Sequence, residues 1–485
     1  MPPLANSKSL LFPFGFFSLL FAICCWYALY YHAYHWLAVP FLALCCYAFL
    51  PLLFQPNIRL FWLLFIAIPL STEWQITPFL GLDFPDEIFM GLLSIAVTVY
   101  LVLRPAAFPK ILLESSLFTL LLLGWIWTAL TCFYSSEPLL SLKFLLAKCW
   151  FILPFVIAPL LFIKQRSHWQ TWAACWLIPM LFLVLQVIIR HGWHGFTFFN
   201  IRKAMAPFFR NHVNYAALLS SLIPLALLCY FHTPKTSRWK KWILFGIITG
   251  IIAWILAYSR GAWVALPAGG AMVWVMRKNW LTSLLVAGSF LILISSAWLV
   301  TEKRYLRFTP NHDQTFFHTQ FRQHLQATFE GKDISNAERW HRWVAGVRMF
   351  MHEPLTGFGP NSFYRHYQPY TLNSFQTWVS DNPEHSTVHN YFLLVALEQG
   401  LIGLLLFIAL VVCMFLSLQG LCQNLQSHFF RSIAFTISAI LTIVVVLNLV
   451  SDLIETDKVG SIFYSCLGVI LLLQQEARLE KTDLA

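Results

Sequence analysis

Long apolar runs dominate the chain and are separated by short polar segments. Many runs approach twenty residues, the length a helix needs to cross about 30 Å of hydrocarbon. The pattern predicts an all-α, polytopic transmembrane helix bundle of about 12–14 spans. The predicted spans are 10–31, 35–54, 60–71, 87–103, 115–133, 142–163, 171–189, 214–232, 242–258, 262–276, 280–300, 398–420, 431–451 and 459–475, of which the third and tenth are short.

The composition agrees with this prediction. Of the 485 residues, 59% are hydrophobic and 11% are charged, whereas a typical soluble domain carries about 25% charged residues. A soluble fold of this length would lack the charged groups that cover a surface. The composition therefore excludes a soluble enzyme and a disordered chain.

The charged residues predict the orientation of the bundle. There are 32 Lys and Arg against 21 Asp and Glu, an excess that in a soluble protein would suggest nucleic acid. In a membrane protein, basic residues accumulate in short cytoplasmic loops. Alternate loops of this chain hold them, so we expect cytoplasmic N- and C-termini and no nucleic-acid partner.

Two short outer regions depart from that rule. The loop at 190–213 carries Arg190, Arg202, Lys203 and Arg210, and the turn between the ninth and tenth spans carries Arg260. A cation placed against the insertion preference indicates a functional site. The alternative is that these side chains reach the lipid headgroups.

The polar segment 301–388 divides the chain into five parts. These are an N-terminal bundle (1–190), core helices with Arg-bearing periplasmic loops (191–300), a large periplasmic loop with short helices (301–388), C-terminal transmembrane helices (389–476) and a cytoplasmic tail (477–485).

Within the large loop, the sequence from Asn336 predicts an amphipathic helix capped by that residue. It would lie on the membrane surface or against the bundle, with Arg339 beside an apolar face. The predicted face consists of Trp340, Trp343, Val344, Val347, Phe350 and Met351. A glycine-rich turn follows at 354–360; phosphate binding there is an alternative, although the spacing matches no P-loop.

Two histidines precede the last group of spans. If the segment is helical, His385 and His389 lie one turn apart on one face. Zinc binding is an alternative, although the sequence has no HExxH pattern here and marks out no third ligand. A histidine at the membrane edge is better suited to general-base chemistry. A third interpretation is a histidine that is hydrogen-bonded within the interface.

The predicted topology places these cations and His389 on one side of the membrane. Guanidinium groups bind phosphate oxygens, and no acidic residue lies near Arg260 in sequence. We therefore expect the arginines to hold a lipid-linked diphosphate and stabilise it as a leaving group, while His389 deprotonates an acceptor hydroxyl. Aromatic residues predicted at the outer rim would suit a carbohydrate, although they also form ordinary interface belts: Trp193, Trp340, Trp343, Tyr364, Tyr367 and Trp378.

Four stretches share the order of motifs of a known family. They are 209–218 (FRNHVNYAAL), 258–263 (YSRGAW), the segment from Arg339 through 354–359 (PLTGFG), and 389–403, which begins HNYF and ends EQGLIG. Over roughly residues 200–420 the chain resembles the O-antigen ligase and O-antigen polymerase superfamily of bacterial membrane glycosyltransferases.

The resemblance implies a metal-independent, inverting enzyme without a cofactor. Its donor would be an undecaprenyl-diphosphate-linked glycan, and its active site would face the periplasm from the bacterial inner membrane. By position, Arg260 would contact the diphosphate and His389 would be the base. Arg202 and Arg210 both qualify as the upstream arginine.

One motif departs from the pattern of the family. Several relatives have Asn-Pro-Asn where this chain has Asn-His-Val-Asn at 211–214. The change adds His212 to the possible supporting residues, which also include Asn214, Asn390, Arg339 and His385.

The acceptor stays open at this stage. Lipid A-core is slightly favoured, as in a ligase, over another lipid-linked glycan, as in a polymerase, and over a protein Ser or Thr. From a different class, the chain could be a polytopic transporter or flippase or a structural scaffold. The clustering of the titratable residues at one face favours interfacial chemistry over alternating access.

Overall fold

The computed structural model describes residues 23, 58–77, 80–308, 334–371 and 387–482. The predicted span 35–54 lies outside these residues, as does the span 10–31 apart from residue 23. Trp378 and His385 also lie outside them.

The described residues form a bundle of α-helices with almost no sheet, which confirms the all-α polytopic fold. The α-helices are α1 (Ile58–Leu70), α2 (Asp86–Leu103), α3 (Lys110–Glu114), α4 (Ser116–Tyr134), α5 (Pro138–Ile152), α6 (Ala158–Phe162), α7 (Arg166–Trp193), α8 (Ile201–Met205), α9 (His212–His232), α10 (Trp239–Leu256), α11 (Arg260–Arg277), α12 (Leu281–Val300), α13 (Ile334–His352), α14 (Phe363–His366), α15 (Tyr391–Asn424), α16 (His428–Asn448) and α17 (Asp457–Thr482). A π-helical turn, Leu153–Ile157, joins α5 to α6. Short 3-10 turns lie at Pro105–Ala107, Phe198–Asn200, Thr301–Phe308, Gln368–Tyr370 and Leu453–Glu455. The one hairpin in the described part of the chain pairs β1 (Thr72–Thr77) with β2 (Leu80–Phe84) in antiparallel register.

Ten helical segments among the described residues are long and apolar enough to cross a membrane. They are α2, α4, the continuous segment Pro138–Phe162, α7, α9, α10, the segment that begins with α12, α15, α16 and α17. The predicted short spans correspond to α1, which has 13 residues, and to α11. The chain is a multi-pass membrane protein.

The packing is tightest around α16 and α17. Small residues allow the close approach, as they do in other membrane bundles. A Cβ at Gly269 of α11 would lie 2.8 Å from the Ile443 side chain and 2.9 Å from the Ala439 carbonyl oxygen of α16. This contact fixes α11, which begins with Arg260, against the helix that leads to the turn at 449–452.

Helix α15 is broken at Gly400, and the glycine-rich turn of the large loop packs into the break. Gly400 has φ 68°, and a Cβ there would overlap the Leu355 carbonyl oxygen. The backbone N–H groups of Phe358 and Gly359 donate to the carbonyl oxygens of Leu397 and Glu398 at 3.0 and 2.9 Å. The glycines therefore serve the approach of two backbones.

The same turn binds a carboxylate of the protein itself. Ser362 and Phe363 donate their backbone N–H groups to Glu398 Oε1 at 3.1 and 3.3 Å, and Glu398 is buried. The N–H groups of Phe358 and Gly359 in the turn, and those of Ser362 and Phe363 after it, are thus engaged by the α15 backbone and by Glu398. These contacts do not favour phosphate binding by the turn, an alternative raised by the sequence that stays a prediction.

Helix α13 lies against the bundle, one of its two predicted positions. It begins at Ile334, so Asn336 lies in its first turn and does not cap it. The predicted apolar face is partly wrong, because Val347 and Met351 are exposed. Gly346 provides the contact instead, since a Cβ there would lie 3.1 Å from Leu393 and Val388 side chains.

One end of the bundle, which we call the hairpin end, collects the loops of interest. It comprises the hairpin β1–β2, the loop 194–211, the turn 257–259, residues 387–390 and the turn 449–456. The loops contact one another: the Tyr258 hydroxyl donates to the Phe196 carbonyl oxygen at 2.7 Å. His389 lies in one of these loops, and His212 and Arg260 begin the helices that follow two others.

Candidate functional site

His389 lies just before α15 and is not helical. Its backbone has φ 54°, a left-handed conformation that a side chain other than glycine rarely adopts and that is found at functional sites. Asn390 caps α15, because its side-chain oxygen accepts from the Leu393 N–H at 3.0 Å. The expectation that His385 and His389 share a helical face is therefore wrong at His389, because the helix begins two residues later.

A carboxylate faces the His389 imidazole. Nδ1 of His389 is 3.6 Å from Asp452 Oδ1, and the Thr387 hydroxyl donates to Asp452 Oδ2 at 2.5 Å. Burial alone would raise the pKa of Asp452, but the hydrogen bonds from His389 and Thr387 and the charge of His389 hold that pKa below its usual value. An ionised Asp452 favours the tautomer with the proton on Nδ1, which leaves Nε2 as the basic nitrogen.

Three backbone carbonyl groups of the turn that carries Asp452 accept hydrogen bonds from other segments. Leu449 accepts from the Asn390 side-chain amide at 3.0 Å, Val450 accepts from Arg339 Nε at 3.1 Å, and Ser451 accepts from the Tyr391 N–H at 3.1 Å. Residues 449–452 thus connect α13, the start of α15 and the end of α16. Asn390 and Arg339 act here through hydrogen bonds to the backbone of this turn.

An ion pair from the N-terminal half supports the same turn on its other side. Lys148 of α5 donates to both carboxylate oxygens of Glu455 at 2.8 and 3.0 Å. The Tyr391 hydroxyl also hydrogen-bonds Glu455. Breaking a buried pair is costly, so this contact fixes the segment that follows Asp452.

Arg260 begins α11 beside the same turn. A Cβ at the next residue, Gly261, would lie 3.6 Å from the side chains of Leu447 and Val450. Tyr258, two residues earlier, has φ 54°, so the turn into α11 is sharply defined. The half-buried Arg260 adds its charge to the positive end of the helix dipole.

Aromatic rings connect the turn 257–259, which precedes Arg260, to the loop 194–211, which carries Arg202 and Arg210. The Phe198 ring lies 5.9 Å from that of His212 and 5.8 Å from that of Tyr258. Asn211 caps α9 by accepting from the Asn214 N–H at 2.9 Å. The buried Asn214 side-chain oxygen has no hydrogen-bond partner among the residues that the structure describes. The 211–214 motif therefore starts α9 and places His212 near the Arg260 turn.

The basic residues of that loop have different roles. The Arg190 guanidinium donates to the carbonyl oxygens of Ala206 and, at 3.1 Å, Lys203, so it stabilises the loop itself. Arg202 is exposed on α8. Arg210 is also exposed and forms an ion pair with Glu73 of the hairpin. Arg202 and Arg210 are thus the two arginines of this loop that lie exposed, and Lys203 is exposed beside them.

The structure therefore brings His389, Asn390 and Arg339 onto the turn 449–452 and the start of α11 against it. His212, Asn214, Arg202 and Arg210 lie on or beside the neighbouring loop. Of the aromatic residues predicted at the rim, Trp193 is exposed, whereas Tyr367 is fully buried and belongs to the core.

Within the described ranges, no group of three or more His, Cys, Asp or Glu side chains is placed to hold a metal ion. His389 has one carboxylate partner there, Asp452. The alternative of zinc binding by His385 and His389 together is not tested, because His385 lies outside the described residues.

Two residues of the site, Asp452 and Thr387, are missed by the sequence argument. The positive-inside rule uses only Lys and Arg and so passes over a carboxylate. A signal does exist: Asp452 opens the short predicted outer loop between the last two spans, where an acidic residue could meet a histidine from another outer loop. Nothing local links Thr387 to that carboxylate, which is 65 positions away.

Two comparisons relate the chain to known proteins. Residues 245–408 match the family model described as O-Antigen ligase, a segment that includes Arg260, Arg339 and His389. An uncharacterized protein of Haemophilus influenzae is 23% identical over 266 residues, which cover 52% of this chain and 62% of that protein. The match thus spans less than two thirds of the length of the relative. The match over residues 245–408 supports the resemblance of this part of the chain to the O-antigen ligase superfamily.

Proposed function

We propose that the protein is a membrane glycosyltransferase that moves a glycan from an undecaprenyl-diphosphate carrier to an acceptor hydroxyl. The observation that carries the proposal is the His389–Asp452 pair at 3.6 Å on a turn that also binds Arg339 and lies against the start of α11. A base oriented by a carboxylate and flanked by guanidinium groups is suited to transfer from a phosphorylated leaving group.

In the proposed reaction, Nε2 of His389 takes the proton from the acceptor hydroxyl as its oxygen attacks the anomeric carbon of the donor sugar. The bond from that carbon to the diphosphate oxygen breaks, and the lipid diphosphate leaves with the electron pair. Attack on the face opposite the leaving group inverts the anomeric centre. Asp452 stabilises the imidazolium that forms.

Arginines stabilise the charge that develops on the leaving diphosphate. Arg260 is assigned to this role by its place at the start of α11, and Arg210 or Arg202 would contact the diphosphate from the neighbouring loop. The guanidinium fork matches phosphate oxygens and keeps its charge at every physiological pH. None of these roles requires a metal ion, so transfer should be metal-independent.

The hairpin end is proposed to face the periplasm from the bacterial inner membrane. The support is the distribution of basic residues, because the turns at the opposite end of the bundle carry clusters such as Lys235, Arg238, Lys240 and Lys241. Cytoplasmic N- and C-termini are proposed from the same distribution of basic residues. The five-part division at 190, 300, 388 and 476 is proposed on the same basis.

Lipid A-core is the acceptor we favour, which would make the protein an O-antigen ligase. A growing lipid-linked glycan, as in an O-antigen or exopolysaccharide polymerase, ranks second, and a protein Ser or Thr ranks third. A transporter or flippase would not need a carboxylate-oriented histidine beside the start of an arginine-bearing helix.

The test is reconstitution of the purified protein in liposomes with an undecaprenyl-diphosphate glycan and each acceptor in turn, with chelator present. Glycan transfer to lipid A-core is the expected result. Transfer only to a second lipid-linked glycan would make the protein a polymerase. Movement of the donor across the bilayer without transfer to any acceptor would contradict the proposal and favour a flippase.

A further inference from the structure

The hairpin β1–β2 brings a carboxylate to one of the exposed arginines. Glu73 of β1 forms an ion pair with the Arg210 guanidinium, 137 positions away in sequence. Gly81 of β2 leaves room for this contact, because a Cβ there would lie 3.0 Å from Glu73 Oε1. The contact joins the hairpin to the loop proposed to hold the donor diphosphate.

The register of the hairpin makes the face toward Arg210 anionic. Glu73 lies directly opposite Asp83 across the two strands, and like charges in that position repel each other. The strand alternation turns Trp74 and Phe84 to the other face, where they are 62% and 44% exposed. Arg210 therefore supplies the positive charge that the acidic face requires.

The backbone on both sides of this ion pair is fixed. Phe209 is buried and packs on Tyr215 with ring centroids 5.1 Å apart, while Asn211 caps α9. On the hairpin side, Lys458 Nζ donates to the Ser71 hydroxyl at 2.6 Å and to the Ser71 carbonyl oxygen at 3.0 Å. Only the two side chains need to move when the pair opens.

The pair itself is weak and exchangeable. The Arg210 side chain is 68% exposed and that of Glu73 is 25% exposed, and exposed ion pairs of this kind contribute little to stability. A diphosphate offers more charge and more acceptor oxygens than one carboxylate, and it can bind the guanidinium through two parallel hydrogen bonds.

We propose that Glu73 competes with anionic ligands for Arg210, an inference that rests on the proposed function. At a membrane surface, an unoccupied arginine would bind the single phosphate of any phospholipid headgroup. A resident carboxylate weakens the binding of every anion at Arg210 by the same factor, so monophosphate ligands that bind weakly are left unbound while a diphosphate, which binds more tightly, still occupies the site. Glu73 thus sets the affinity that an anionic lipid needs in order to occupy Arg210.

The experiment measures the KM for the undecaprenyl-diphosphate glycan and kcat in non-ionic detergent free of phospholipid, with the full-length protein. Glu73→Gln should lower KM about two- to fivefold, the range of an exposed ion pair, and leave kcat unchanged. Asp83→Asn is the matched control, because it removes the same charge from the same face, and its KM should change less than about twofold.

Addition of a lipid monophosphate tests whether Glu73 also opposes the binding of weaker anionic ligands at Arg210. It should inhibit Glu73→Gln at a concentration about two- to fivefold lower than it inhibits the wild type. The inference is overturned if Glu73→Gln leaves KM and this inhibition unchanged, or if it raises KM, which would make Glu73 a residue that positions Arg210. Glu73→Asp is a second variant that keeps the charge and should remain close to the wild type.

Arg210→Ala separates this inference from the proposed function. If Arg210→Ala raises KM while Glu73→Gln has no effect, competition by Glu73 is wrong and the proposed function stands. If neither change affects KM, Arg210 does not contact the donor. If His389→Ala is also fully active in the same assay, the proposed function fails.

Discussion

The two sides of the hairpin end are built differently. Residues 387–390 and the turn 449–452 are joined by hydrogen bonds between backbone, amide and carboxylate groups, and the His389 side chain is 33% exposed. The loop 194–211 instead presents Arg202 and Arg210 to the outside, and Arg210 has an ion-pair partner that can be exchanged.

The difference corresponds to two chemical tasks. A general base must be held within hydrogen-bond reach of the proton that it removes, and the left-handed backbone at His389 shows that the surrounding contacts override a local preference. An arginine that binds and releases a charged lipid needs access and an exchangeable partner. We therefore expect changes on the first side to lower kcat and changes on the second to raise KM.

The largest expected effect is on the stability of α15, the helix that follows His389. Gly400→Ala places a Cβ against the Leu355 carbonyl oxygen at a φ of 68°, and steric overlap combined with backbone strain should cost about 4 kcal/mol or more. The yield of monodisperse protein and its unfolding temperature in detergent check this prediction.

Gly420→Ala is the matched control on the same helix. Its Cβ would meet no atom within 4 Å, so alanine should leave the unfolding temperature unchanged or raise it slightly. Equal behaviour of the two variants would show that α15 does not depend on the break at Gly400.

The next largest effect distinguishes the residues around His389 from the loop 194–211 by their kinetic constants. Asp452→Asn removes the charge that orients and stabilises the His389 imidazole, so kcat should fall about 100-fold while the KM for the donor changes less than about twofold. Thr387→Val removes one hydrogen bond to the same carboxylate and should lower kcat by less than about tenfold. An Asp452→Asn enzyme with the kcat of the wild type would remove Asp452 from the mechanism.

The arginine loop should respond in the opposite way. Arg210→Ala and Arg202→Ala each remove one exposed cation, and the one that contacts the diphosphate should raise KM about tenfold. We expect Arg210 to have the larger effect, because the Glu73 pair already shows its guanidinium holding an anion. Titration of the donor against each variant decides between the two arginines. A fall in kcat without a change in KM would place the residue on the chemical side instead.

The smallest effect is on stability as a function of pH. The pKa of Asp452 is lowered in the folded protein. Its ionised form therefore stabilises the fold fully at pH values above the ordinary pKa of an Asp carboxyl group, about 4. That contribution is lost as the pH falls through the lowered pKa. Thermal unfolding of the wild type and Asp452→Asn should differ at neutral pH and converge at strongly acidic pH. A constant difference at every pH would contradict this reading of the carboxylate.

The sequence predicts the spans well because apolar length depends on the bilayer alone. It also singles out Arg260 and His389 as candidates, because charges are scarce enough in this chain for a misplaced one to be noticed; their roles stay predictions. It does not predict the break at Gly400 or the Asp452 partner, because both depend on contacts between distant segments. The predicted cap at Asn336 is wrong for the same reason, because local preference does not specify which backbone groups a folded segment leaves unsatisfied.

The most direct test of the account is the rate of glycan transfer by His389→Ala in liposomes with chelator present. A fall in kcat of at least about 100-fold is expected, because no other group would take the proton from the acceptor. His194→Ala is the matched control, an exposed histidine at the same end of the bundle, and it should keep the rate of the wild type. Transfer by His389→Ala at the rate of the wild type would contradict the account.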